Sequence, residues 1–479
     1  MSRPLEHTAP RLLGSTTPLT PVAGNRPVGR WGRLRSRTFK TVGDHCAVEI
    51  VTLLFSSSMS MSGFFQNNLL LRKACNGTVP FGECTDGEAH AQHVVSVIYS
   101  WKAAIQYIVP VVLIILSGPW SDSHGRRRRP LIFLPIIGQM LTDSLCILNV
   151  YFWSWPPQIA AIFEAITPGL FGSRSMFWVG VISYISDNSP IELRTLKYGI
   201  INAIYTISSL IGTGLAGFLN VGLGFYGAFL VSISFNLAAI TIGLLIVKDT
   251  SEPYDKNVEW LKLKHFVQSY LNVFKGGTKS FTVTLFVLLL SQGVLVGRIG
   301  GEYAITYLFT RYKFHWYEVE YSYFAAFKMM TIFFGTLFSV SVLSHCMKVN
   351  DAIIGLIACS FDMLAAMCYV FATEPWQMYC ISMIDFFHGT ALTISTSLTS
   401  KLVQNDELGR LNSVQGLIST LLSFLIVSLY SATYHFTFEF LAGAVFLLNV
   451  ILTIPIFIMF AIIYWKCKHL WTKETTQPQ

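Results

Sequence analysis

Arg298 and Glu302 stand four residues apart in "VLVGRIGGEYAIT", inside a long apolar run. That spacing puts both on one face of a helix. They would form either an ion pair for which a solute or a proton competes, or a permanent structural pair. Asp385 and His388 stand three apart in "SMIDFFHGT", again on one face. A carboxylate beside an imidazole can share and pass a proton near neutral pH; the alternative is a hydrogen bond that packs helices. Glu302, Asp385 and His388 are therefore the candidates for proton coupling. Arg174, Arg298 and Lys328 are the candidates for meeting an anionic solute. Glu164 lies ten residues before Arg174, and at about 100° per residue the two point to different sides of a helix. Asp143 reads as a polar contact within its run, Asp362 lies in a ninth helix of a kind that often sits outside the cavity, and Glu49 lies near a run's start, where it is interfacial. Ionisable groups in hydrocarbon are costly, so each is a functional candidate by default.

A second kind of chemistry sits in the polar gap "GPWSDSHGRRRRP", which fits G-x-x-x-D-x-x-G-R-R. Gly118 and Gly125 allow close backbone approach. Asp122 can pair with a helix end or an arginine, and Arg126 and Arg127 can grip a carboxylate with two parallel hydrogen bonds. Contacts of that kind can latch a moving protein in one state and break in another. Arg128 and Arg129 read as topology anchors.

The elements that hold these groups are apolar. The chain is 52% hydrophobic and 13% charged, with 36 Phe and 13 Met among 479 residues. Soluble domains average about one quarter charged. A hydrocarbon core of about 30 Å needs roughly 20 apolar residues per helix. Runs of that length predict about twelve spans, at 44–64, 94–117, 130–152, 158–185, 196–219 and 225–247, then 280–308, 320–343, 351–372, 376–399, 412–434 and 439–465. Pro156-Pro157 and the Gly222 to Gly224 stretch mark tight turns. The expected fold is an all-α integral membrane protein with two six-helix bundles, 44–247 and 280–466. A basic disordered tail (1–43), a polar linker (248–279) and a short tail (467–479) complete the chain. Basic gaps at 126–129, 194–197 and 248–279 fall on one side, which places both termini in the cytosol.

The opposite face holds "KACNGTVPFGECTDGEAH". Its Asn76-Gly77-Thr78 is a glycosylation acceptor, and an oxidising compartment suits a Cys75–Cys84 bridge. No phosphate-cradling glycine loop, no metal-ligand cluster and no basic-aromatic nucleic-acid surface stands out. An enzyme, a metal centre and a nucleic-acid partner are not expected. The expected partners are the bilayer and a small solute, with no cofactor beyond a coupling proton.

Two six-helix halves joined by a polar linker resemble the plan of the major facilitator superfamily, whose signature loop between helices two and three matches the gap at Gly118. "GPWSDSHGRRRRPL" is also similar to the proton-coupled folate transporter family, solute carrier family 46. "VEI" (Val48–Ile50) resembles that family's opening of helix one. "SKLVQNDELGRLNSV" resembles its loop after helix ten at Ser400, Lys401, Leu402, Val403, Glu407, Gly409, Leu411 and Ser413. "SLYSATYHFTFEF" (Ser428–Phe440) resembles its link into helix twelve. The likeness covers residues 44–465 and implies proton-coupled movement of organic anions or related polar solutes. At four functional positions of the folate carrier this chain departs: Asn202 for an acid in helix five, Gly297 for a histidine in helix seven, Thr396 and Ala165 for arginines. Asn202 remains a candidate solute contact. The pattern implies a non-folate member resembling the thymic stromal cotransporter, in the plasma membrane or an endolysosomal membrane. A facilitator or exporter of the same fold, or a solute-binding sensor, is the alternative.

Overall fold

The computed structural model describes residues 47–75, 87–124, 127–189, 191–249, 279–402 and 408–474. The basic tail, most of the 248–279 linker, Asn76, Cys84, Gly125 and Arg126 lie outside them. Among the described residues every regular element is helical: α1 Ala47–Ala74, α2 Glu88–Ser123, α3 Arg129–Tyr151, α4 Pro157–Leu170, α5 Ser173–Asp187, α6 Ile191–Ile246, α7 Lys279–Phe314, α8 Glu318–Phe338, α9 Asp351–Phe371, α10 Pro375–Ile384, α11 Thr390–Leu402, α12 Leu408–Leu441 and α13 Leu447–Glu474.

Eight helical stretches are long and apolar enough to cross a bilayer, and two of them are 47 and 52 residues long. At 1.5 Å rise per residue each of those two is far longer than one crossing needs. The first, within α6, turns at Gly224, whose φ of 63° only glycine adopts readily. The second holds α12 and α13, joined by a 3₁₀ turn at Ala442–Phe446. Two further crossings are interrupted. The fourth splits into α4 and α5 at Gly172 (φ 87°) and Ser173 (φ 54°), just past Pro168. The tenth splits into α10 and α11 around a 3₁₀ turn at Asp385–Phe387. Twelve crossings result among the described residues, with the two breaks lying where the sequence pattern predicts continuous spans (158–185 and 376–399). Pro157 opens α4 at its first turn, where the missing N–H costs nothing.

Within the first six crossings α1 packs on α6, α3 on α4, α5 and α6, and α2 on α4. Within the last six, α7 packs on α12 and α9 on α11 and α13. The two sets meet along α2 with α12 and α6 with α8. They are tied at the end that carries Ala74 and Glu88. There Asn68 donates to Glu318 (2.8 Å), Arg311 pairs with Glu88 (3.1 Å) and Tyr434 donates to Gln92 (3.2 Å). His93 meets Glu439 at 2.9 Å and Ser96 meets His435 at 2.8 Å. Gly217 N–H donates to Ser322 (2.8 Å), and a Cβ at Gly217 would sit 2.2 Å from the Glu318 carbonyl oxygen. Only glycine permits that approach of α6 to α8.

Candidate functional site

Six ionisable side chains from four crossings converge in the second half. Arg298 on α7 donates to Asp362 on α9 at 2.8 Å. His388, just past the break in the tenth crossing, places Nδ1 3.2 Å from Asp362 and 3.2 Å from Asp385. Lys328 on α8 donates to Glu302 on α7 and lies 3.6 Å from Asp385. Asn449 on α13 donates to the second oxygen of Glu302 at 2.8 Å, and Tyr430 on α12 donates to Asn449. Arg298 is 1% exposed and Asp362 2%. Both groups facing His388 Nδ1 are carboxyl groups, so a proton can be shared between that nitrogen and a carboxylate.

The charge count of this cluster is its main property. Glu302, Asp362 and Asp385 supply three negative charges when ionised. Arg298 and Lys328 supply two fixed positive charges. Neutrality requires one more proton, and His388 is the group placed to hold it between two carboxylates. A buried net charge is costly, so gain or loss of that proton must be felt by all four crossings.

This arrangement corrects the pairing expected from the sequence. Arg298 does not pair with Glu302; Asp362 takes its guanidinium and Lys328 takes Glu302. Helical spacing fixes a shared face but not which neighbouring helix supplies the countercharge. Arg298 and Lys328, expected to meet solute, are both engaged by carboxylates. Glu302, Asp385 and His388 also bring one donor atom each within 4.8 Å of one another, a set that could hold a metal ion. The sequence pattern groups these three for proton coupling and expects no metal-ligand cluster. Lys328 supplies the positive charge there.

The first half holds a second polar cluster. Lys102 on α2 donates to Glu164 on α4, and both are buried. Asp143 on α3 accepts from Ser62 on α1, from Gln139 (3.0 Å) and from Ser232 on α6 (2.6 Å). The sequence reading missed Lys102, although a lysine inside the 94–117 run is itself a signal of cost and purpose. Glu164 and Arg174 lie on different helices, α4 and α5, and have different partners. Arg174, on α5, is exposed and donates to the Tyr205 hydroxyl at 3.1 Å. Tyr107 of α2 and Tyr303 of α7 lie within its electrostatic reach, and its neighbour Ser175 meets Thr420 of α12 at 3.4 Å. Arg174 thus faces the second half, and among the described residues no carboxylate pairs with it. Asn202 is exposed on α6.

Of the proposed latch, Gly118 and Asp122 fall in the last turns of α2, and Arg127 is exposed. Arg128 is not a bare topology anchor. It is buried, pairs with Asp187 at 2.8 Å and donates to Ser121 at 3.0 Å. Its backbone N–H and that of Arg129 both donate to Asp249 at 2.9 Å, so that together these contacts join the start of α3 to the ends of α2, α5 and α6. Cys75 is disulfide-bonded.

Two sets of six crossings, tied at one end and carrying paired charges in the apolar interior, define a membrane carrier of the alternating-access type. The chain belongs to the Major Facilitator Superfamily, whose family model matches residues 50–427, and it is a multi-pass membrane transporter. Within that superfamily it is similar to solute carrier family 46. It is 28% identical to the lysosomal proton-coupled steroid conjugate and bile acid symporter SLC46A3 of Bos taurus over 70% of this chain and 73% of the relative. It is 20% identical to the probable peptidoglycan muropeptide transporter SLC46 of Drosophila melanogaster, over 69% and 66%. The proton-coupled folate transporter of Bos taurus is 21% identical over 80% and 83%. Among solved structures, the human organic anion transporter MFSD10 aligns with a TM-score of 0.60 at 13% identity, covering 88% of this chain and 99% of that one; at that identity the match speaks for the fold.

Proposed function

We propose that this transporter is a proton-coupled symporter of an organic anion, with the cluster of Glu302, Asp385 and His388, completed by Arg298, Lys328 and Asp362, as its coupling site. The observation that carries the reading is the charge count: three carboxylates, two fixed cations and one imidazole. Solute and proton then compete for, or reinforce, the same neutral state. Arg174, exposed and without an acidic partner among the described residues, is the contact for the anionic group. The relatives named as carriers of steroid conjugates, folate and muropeptides support a polar or anionic organic cargo. Basic gaps on the side of the N-terminus support two cytosolic termini. The tied end at Ala74 and Glu88 is then the outer one, and the structure is closed toward the outside. The membrane is the plasma membrane; a lysosomal relative favours an endolysosomal membrane as the second reading.

Purified protein in liposomes tests this. Uptake of a steroid sulfate, folate or a muropeptide should rise with an inward proton gradient, and Arg174→Ala should abolish it. Solute binding without flux in every case would favour a sensor, and flux indifferent to the gradient would favour a facilitator.

A further inference from the structure

We infer that Asp143 is a second proton-binding site, in the first six crossings and separate from the coupling cluster of the last six. Asp143 is 0% exposed. The groups that touch its carboxylate are neutral: the hydroxyls of Ser62 and Ser232 and the amide of Gln139. The other titratable groups facing it are Glu164 on α4 and Cys146 on its own helix. Among the described residues Lys102 is the cation in this region, and it is taken by Glu164. Arg174 is on Tyr205. Two carboxylates therefore share one buried cation, and Asp143 is the one left over. An isolated ionised carboxylate in an apolar interior costs several kcal/mol, and such a group neutralises instead.

The geometry selects a proton over a metal ion. Ser232 lies 2.6 Å from Asp143 Oδ2, Ser58 lies 2.7 Å from Ser232, and Ser58 donates to the Ser232 carbonyl at 2.9 Å. These are hydrogen-bond lengths between oxygens, and oxygens gathered about a cation at about 2.3–2.6 Å from each would stand further apart. Gln139 also turns its amide N–H group to Ser62 (2.9 Å) and Asp143 (3.0 Å), a donor where a metal would want an acceptor. The chain Gln66–Ser62–Asp143–Ser232–Ser58 links α1, α3 and the second crossing of α6. A proton arriving on Asp143 turns an acceptor into a donor, so one of the serine hydroxyls must reverse. Protonation is thereby felt by α1 and α6, which bear on the contacts between the halves at Asn68 and Gly217.

Infrared difference spectra of the full-length protein in lipid bilayers, recorded between acidic and alkaline buffer, test the assignment without any solute. The wild type should show a carboxylic-acid C=O band from Asp143, lost in Asp143→Asn. Asp385→Asn should leave that band in place, so the outcome is independent of the coupling cluster. Ser232→Ala keeps the acid but removes one donor to its ionised form, and should move the band's midpoint about one pH unit to the alkaline side. An Asp143→Asn spectrum identical to wild type would overturn the inference. So would a band that never titrates, or one displaced by sodium at fixed pH. If Asp143→Asn does not fold, an unmoved midpoint in Ser232→Ala has the same force.

Discussion

Replacing Arg298 with methionine leaves three carboxylates facing one lysine and one imidazole. Even with His388 protonated the cluster then carries one uncompensated negative charge at residues only a few percent exposed. Removing one partner of a buried pair costs about 3–5 kcal/mol, a factor of about 150 to 5,000 in the folding equilibrium. Adding Asp362→Asn restores the count: Glu302 and Asp385 against Lys328 and protonated His388. The double variant should therefore recover at least about 2 kcal/mol of the loss, since a buried pair as a whole contributes little net stability. The assay is the thermal midpoint of detergent-solubilised protein, followed by its retained monodisperse peak, for the wild type, both single variants and the double. A double variant no more stable than Arg298→Met would refute the pairing and the charge count together.

The first-half pair gives a parallel case. Lys102→Met should destabilise by about 3 kcal/mol and Lys102→Met/Glu164→Gln should recover most of it, read from the same thermal midpoints. Gly335→Ala should cost about 1–3 kcal/mol and impair transport. Its Cβ would lie 1.6 Å from the Phe386 carbonyl oxygen in the tenth-crossing break, whereas Gly416→Ala, with open space around it, should be tolerated. Breaking the Glu88–Arg311 tie with Arg311→Ala should shift the balance away from the closed end by about 1–2 kcal/mol, roughly 5–30-fold. A cysteine introduced at Gln92 and its labelling rate by a membrane-impermeant thiol reagent report that shift.

The interior charges were legible in the sequence because each breaks a long apolar run. Arg298, Glu302, Lys328, Asp385 and His388 all stand out for that reason. The contact of Asp385 with His388 was legible from its three-residue spacing, whereas the partners from other helices were not. Asp362 comes from α9 and Asn449 from α13, and nothing local to residues 298–302 points to either. The twelve crossings followed from run length, while the breaks in the fourth and tenth did not. Pro168 and Gly172 carried a signal for the first break, but the surrounding hydrophobicity masked it. At the tenth-crossing break the Phe386 carbonyl lies against Gly335 of α8, a tertiary contact that no window of sequence contains. The Arg128 side chain is held by Asp187, distant in sequence, so the arginine run gave no sign of that pair.

In the proposed mechanism a proton on the Glu302–Asp385–His388 cluster is coupled to solute movement. Glu302→Gln in liposomes tests it most directly, with gradient-driven uptake and equal-pH exchange of the same radiolabelled steroid sulfate measured side by side. The variant should retain exchange but lose the rise in uptake that an inward proton gradient gives the wild type. Gradient-driven uptake at the wild-type level in Glu302→Gln, with exchange intact, would contradict it.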